Sequence, residues 1–181
     1  MVTAGRACDG CTLCCKLFGI PQLEKPMGVM CRYAVIGRGC SIYEQRPHVC
    51  RVSDCLWLST PNVPEHWKPA QSHMVLAGDP TGTLLSVLVD DGFEQIWRSE
   101  PYYSDLKKWS RDPRWRIQVL PPGEGWIIFP EEDLHIADRK PDDFIVGFGY
   151  KFQANSRQPA VSVRHGDGST TDILGAHYPL P

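Results

Sequence analysis

C-D-G-C-T-L-C-C at residues 8 to 15, then Cys31, then C-S-I-Y-E-Q-R-P-H-V-C-R-V-S-D-C at residues 40 to 55: this stretch holds all eight cysteines of the 181-residue chain. Two C-x-x-C steps, Cys8 with Cys11 and Cys11 with Cys14, place thiols in tight turns, the geometry that a tetrahedral metal asks of its ligands. Cys15 follows Cys14 directly. Neighbouring residues project differently, so these two divide either between two sites or between a ligand and a supporting role. Cys31, Cys40, Cys50 and Cys55 return four more thiols from a loop-rich segment punctuated by Pro21, Pro26, Gly28, Gly37 and Gly39.

The compartment decides what such a cluster does. Hydrophobic residues make up 42% of the chain and charged residues 22%, the composition of an ordinary globular protein. No run of about 18 apolar residues is present, which excludes a membrane-spanning helix, and M-V-T-A-G-R-A-C has no apolar core of a signal peptide. The expected location is the cytoplasm, where thiols stay reduced and a dense cluster is a metal site rather than a disulfide framework.

The net charge of −2 is unevenly spread. Residues 1–55 carry +3 and the remainder −5. A basic module suggests nucleic acid at first sight, but eight thiolates around two divalent ions contribute about −4 and bring the module to about −1. The arginines then read as counter-charges for thiolates, with Arg46 and Arg51 either supporting thiolate sulfurs or pairing with Glu44 or Asp54. The expected partner is a metal ion, with another protein as a further candidate; nucleic acid and membrane insertion are not expected.

Downstream of Cys55, L-W-L at 56–58 forms an apolar plug before the junction S-T-P-N-V-P. Residues 73–77 and 84–89 are strand-like runs around the turn G-D-P-T-G and predict a hairpin. Pro101 opens a segment with Tyr102, Leu106 and Trp109 at helical spacing, which predicts an amphipathic helix over 101–111. A second hairpin is predicted from 115–120 and 126–129, a longer strand at 144–152 and a weaker one at 160–164. The Gly-, Thr- and Pro-rich tail from His165 is expected to cap the fold or to fray. The expected fold class is α+β: a small, irregular, metal-stabilised cysteine module, residues 1–58, packed on a mostly antiparallel β domain with one or two helices, residues 59–181, the two sharing one core.

C-x-x-C-x-x-C-C followed by C-x-I-Y-x-x-R-P-x-x-C-R-x-x-x-C resembles the bacterial cysteine-cluster proteins of the zinc- or iron-chelating CxxCxxCC type. The matching residues are Cys8, Cys11, Cys14, Cys15, Cys31, Cys40, Ile42, Tyr43, Arg46, Pro47, Cys50, Arg51 and Cys55. The resemblance covers residues 8–55 and implies metal ligation by the cysteines. Flagellin lysine methylases are similar in this module, which implies an iron–sulfur cluster as an alternative; nothing from Leu56 onwards matches their activity.

The candidate metal ligands are therefore Cys8, Cys11, Cys14, Cys15, Cys31, Cys40, Cys50 and Cys55. Zinc, held by thiolates at about 2.3 Å, is the first choice, and an iron–sulfur cluster accepts the same ligands. Two zinc ions, a cluster plus a zinc, and a cluster with reserve thiols all remain compatible with eight thiols. The function expected is metal binding, structural or in metal handling. The alternatives are an iron–sulfur redox protein or enzyme component, and an interaction module using a tryptophan-rich β surface. No catalytic motif is present, and His48 is a minor ligand candidate. Glu131, Glu132 and Asp133, and Asp142 with Asp143, sit beside turn residues and read as solvated loop faces.

Overall fold

A computed structural model describes residues 2–180. The fold is α+β, with five short helices and three sheets that are mostly antiparallel. In the cysteine-rich part, α1 (Leu13–Leu17) is followed by a two-stranded ribbon, β1 (Ala34–Val35) and β2 (Gly39–Cys40), then by α2 (His48–Val52) and α3 (Leu56–Ser59). Next come α4 (Pro69–Ser72), β3 (Met74–Gly78), β4 (Leu84–Val89), α5 (Tyr102–Ser110), β5 (Arg116–Leu120), β6 (Gly125–Ile128) and β7 (Asp133–Ile136). The chain ends with β8 (Phe144–Gln153), β9 (Ser156–Arg164), β10 (Thr170–Leu174) and β11 (Tyr178–Pro179).

The central sheet runs in the order β3-β4-β5-β6-β7. Both predicted hairpins form, β3 with β4 and β5 with β6, and α5 falls where its Pro-led pattern placed it. The β4–β5 pair is parallel, because the chain leaves β4, crosses by way of α5 and re-enters in the same direction. A parallel pair needs such a crossover, as no tight turn can join its strands.

Strand alternation gives this sheet two apolar faces. On one, Met74, Leu76, Val87, Val89, Ile117 and Val119 pack with Trp57 and Leu58 of α3, with Trp67 and Trp97, and with Leu106 of α5. Trp109, Trp115 and Trp126 pack against the same core from its margin. The opposite face has two covers. Val75 and Leu88 meet Leu17 of α1, with Leu13, Phe18 and Leu120 around them. Further along, Ile127, Leu134 and Ile136 meet Val161 and Val163 of β9. The second sheet, with β9 between β8 on one edge and β10 and β11 on the other, is thus seated beside the cysteine-rich part on one face of the central sheet.

Two departures from the expected pattern have physical causes. The tail from His165 supplies β10 and β11, whose side chains are largely exposed, so the strands carry little hydrophobic alternation. The acidic run at 131–133 is not a solvated loop face. Asp133 begins β7 with its side chain 8% exposed, takes an ion pair from Lys107 Nζ at 2.8 Å and accepts a hydrogen bond from the Tyr103 hydroxyl at 2.8 Å. Glu131 pairs with Arg157 and accepts from the Tyr150 hydroxyl at 2.7 Å. Asp143 is buried likewise, against His165 Nδ1 at 3.1 Å.

Candidate metal centre

Each cysteine is delivered by a short backbone device. Asp9 and Gly10 both take left-handed φ, 44° and 77°, which turns the chain so that the Cys11 N–H donates to the Cys8 carbonyl at 2.7 Å. Gly10 is required for a second reason: a Cβ there would lie 2.5 Å from the Gly37 carbonyl oxygen, in the turn between β1 and β2. Cys14 and Cys15 occupy adjacent positions of α1. Cys31 is buried and its N–H donates to the Cys15 carbonyl at 3.0 Å, so the loop after α1 closes back onto the helix. The Ala34 N–H donates to the Cys31 carbonyl at 2.9 Å, and Ala34 is paired across the ribbon with Cys40. Cys50 lies on α2, while Cys55 caps α3, its carbonyl accepting from the Leu58 N–H at 2.9 Å.

These devices bring seven thiols to the wall of one cavity of about 450 Å³: Cys8, Cys11, Cys14, Cys15, Cys31, Cys40 and Cys50. Phe18, Ile20, Leu23, Ile42 and Val49 supply apolar wall, and Arg38 and Arg46 bring positive charge. Cys55 faces a second, smaller cavity of about 20 Å³, shared with Cys8, Cys11 and Cys14 and bounded by Trp57, Leu58, Lys68 and Pro69. All eight carry free thiols. Among the described residues, no three His, Cys, Asp or Glu side chains are drawn together as a ready ligand set. The donor chemistry fits a thiophilic metal, since soft thiolates select zinc, copper(I) or iron–sulfur centres over hard cations.

Electrostatics set a condition on this crowd. Burial pushes the Cys8, Cys50 and Cys55 thiols upward, and neighbouring thiols push further: Cys11 beside Cys8, Cys15 and Cys31 beside Cys50, Cys8 and Cys11 beside Cys55. Asp54 adds to the effect on Cys8 and Cys55. Cys15 goes the other way, lowered by its hydrogen bond with the Cys14 thiol and by Lys25 and Arg46 nearby. The same bond holds Cys14 far above the ordinary thiol range. Of this pair Cys15 is the thiol that ionises first, and ionising the whole set requires added positive charge.

The basic residues divide their labour in a way their number does not disclose. Arg46 lines the cavity, stacks its guanidinium 3.7 Å from the Tyr43 ring centroid, and favours ionisation of Cys8, Cys15 and Cys50. Arg51 instead donates its Nε to the Arg46 carbonyl at 2.9 Å. Arg6 and Lys16 act in packing. Arg6 donates to the carbonyls of Trp57, Thr60 at 3.0 Å and Val63 at 2.6 Å, and Lys16 pairs with Asp90 at 2.7 Å and with Asp91.

Lys25 carries no motif signal. It is 8% exposed, and its ammonium donates to the carbonyls of Lys16 at 2.9 Å, Pro26 at 3.0 Å and Phe18. Burial lowers its pKa, while Cys31, Cys15 and Cys50 oppose that drop. A buried lysine needs anions or carbonyls around it, and an isolated lysine in a Pro-rich loop gives no warning of either. His48 is the first residue of α2 and does not line either cavity; His66 pairs with Asp105 at 2.7 Å, and His73 and His135 stack on Phe93 and Trp126.

Comparison with protein-family models, with curated proteins and with solved structures returned no match.

Proposed function

We propose that this chain is a cysteine-cluster metal-binding protein, in which the thiols of residues 8–55 hold zinc or iron and the bound metal completes the fold of the N-terminal part. The observation that carries the reading is the common cavity: seven thiols from four separate segments line it together, with Arg38 and Arg46 in the same wall. Burial and neighbouring thiols push Cys8 and Cys50 in this wall, and Cys55 beside it, toward the protonated form, and a cation offsets that penalty. The resemblance to CxxCxxCC proteins supports the same chemistry, and a cytoplasmic location suits reduced thiols.

The cavity has room for more than one metal atom. A mononuclear tetrathiolate draws its four sulfurs to about 2.3 Å from a single ion, far less space than about 450 Å³. An iron–sulfur centre, with the redox or enzyme-component role it implies, is on this ground an equal of zinc. Metal removal tests the reading. A strong chelator is expected to lower the thermal midpoint of the full chain and to expose thiols to alkylation. An unchanged midpoint with unchanged thiol reactivity overturns it. A brown protein with a broad visible band identifies iron–sulfur, and a colourless one with bound zinc identifies zinc.

A further inference from the structure

Cys14 and Cys15 are consecutive residues on one short helix and both line the larger cavity, but only Cys14 also lines the smaller one. Cys8, Cys11 and Cys14 form the wall between the two cavities; Cys55 faces only the smaller one, and Cys15, Cys31, Cys40 and Cys50 face only the larger. Backbone hydrogen bonds tie some members within each set, while the close approach of Gly10 to the Gly37 carbonyl holds the 8–11 turn against the ribbon. Cys8 and Cys11 are tied by their turn, whereas Cys15, Cys31 and Cys40 are tied by the 31-to-15 hydrogen bond and the ribbon pairing.

We infer that the eight thiols form two four-cysteine sites: Cys8, Cys11, Cys14 and Cys55 for a single tetrahedral ion of the zinc class, and Cys15, Cys31, Cys40 and Cys50 for a second, larger centre. The inference rests on the metal-binding reading and adds to it a count and a partition. Four thiolates is the complement of a structural zinc and also of an iron–sulfur cluster. The smaller cavity, at about 20 Å³, is the size for one water-sized occupant, for which about 10–15 Å³ suffices. The larger, at about 450 Å³, has room for a polynuclear centre.

Cations lie beside both sets, and Arg46 acts on Cys8 as well as on Cys15 and Cys50. Four thiolates around a divalent ion leave a net charge of about −2, which needs compensation in a partly buried site. Lys68 lines the smaller cavity, its ammonium 5.3 Å from the Trp57 ring centroid. Arg38 and Arg46 line the larger one, with the buried Lys25 near Cys31, Cys15 and Cys50 and also near Cys14. The doubled cysteine is then the junction: α1 presents one thiol to each site from adjacent positions.

The test is metal content per chain of anaerobically purified full-length protein, wild type against Cys55→Ser, Cys40→Ser and the double variant. Cys55→Ser is expected to lose one equivalent of ion and keep the larger centre. Cys40→Ser is expected to lose the larger centre and keep one ion, and the double variant to lose both. A measurement on wild type guards against a variant that fails to fold: at partial chelation, alkylation followed by peptide mass spectrometry should label the cysteines in the two sets of four. Labelling in one step, or in sets that mix Cys55 with Cys40 or Cys50, overturns the partition while leaving metal binding intact. So does a single substitution that empties both sites in a folded protein, or no change of content in either variant. A wild-type chain with no bound metal overturns the metal-binding reading itself.

Discussion

At the scale of single residues, two positions control the cysteine-rich part without contributing a thiol. Gly10 combines φ of 77° with a close approach to the Gly37 carbonyl, so Gly10→Ala meets both a backbone and a steric penalty. The left-handed conformation alone costs an L-residue roughly 1–2 kcal/mol. Lowered thermal stability and weakened metal retention are expected, and a variant matching wild type in both would show that the 8–11 turn and the ribbon are not coupled. Lys25 is the second. Lys25→Met strands carbonyls of Lys16, Phe18 and Pro26 at a site that is 8% exposed, and each buried group left unsatisfied costs about 1–3 kcal/mol. A denaturant midpoint well below wild type is expected; an unchanged midpoint contradicts a structural role for this ammonium.

At the scale of elements, α5 is pinned to β7 by a small polar junction. Lys107 and Tyr103, one helical turn apart, converge on Asp133, with Lys107 also donating to the Phe129 carbonyl at 2.6 Å. Burial and the Asp133 bond push the Tyr103 hydroxyl up to about 12 from an ordinary 10. The folded state therefore holds that proton more tightly than the unfolded state. Its stabilising effect is complete below about pH 10 and is lost as pH rises toward 12. Tyr103→Phe is expected to lower stability near neutral pH by about 1 kcal/mol and to flatten this part of the alkaline decline. An identical alkaline decline in wild type and variant would remove Tyr103 from the account.

The same junction marks the limit of what sequence discloses. The hairpins β3–β4 and β5–β6, helix α5 and strand β8 are legible because each carries its own periodicity and turn residues. Strand β7 is hidden by the acidic run at its start, since the partners that neutralise Asp133 lie on α5, 26 and 30 residues away. The parallel β4–β5 pairing is equally non-local. In the candidate centre the thiols and Arg46 are legible from spacing. Lys25 and Lys68 are not, because their places beside the thiols come from the folding of a Pro-rich loop and the approach of α4.

At the scale of the whole molecule, one face of the central sheet is the shared floor of two units. Leu17 of α1 is packed on Val75 and Leu88, and β9 is packed on Ile127 and Leu134 alongside. The cysteine-rich part thus takes its foundation from strands that follow it in sequence, and Cys55 leads directly into α3, whose Trp57 and Leu58 are in the main core. Leu17→Ala removes a buried apolar contact worth about 2–5 kcal/mol. It is expected to lower the midpoint of unfolding and the retention of metal together. Unfolding of wild type in denaturant should show tryptophan fluorescence and metal release changing over the same range, and separate transitions would show that the two parts fold independently.

Elemental analysis of the anaerobically purified full-length chain, with native thiol titration on the same sample, tests the central claim most directly. Stoichiometric zinc or iron, with most of the eight thiols protected until chelator is added, is the result predicted. A chain free of transition metal, whose eight thiols all titrate in the native state, would contradict it.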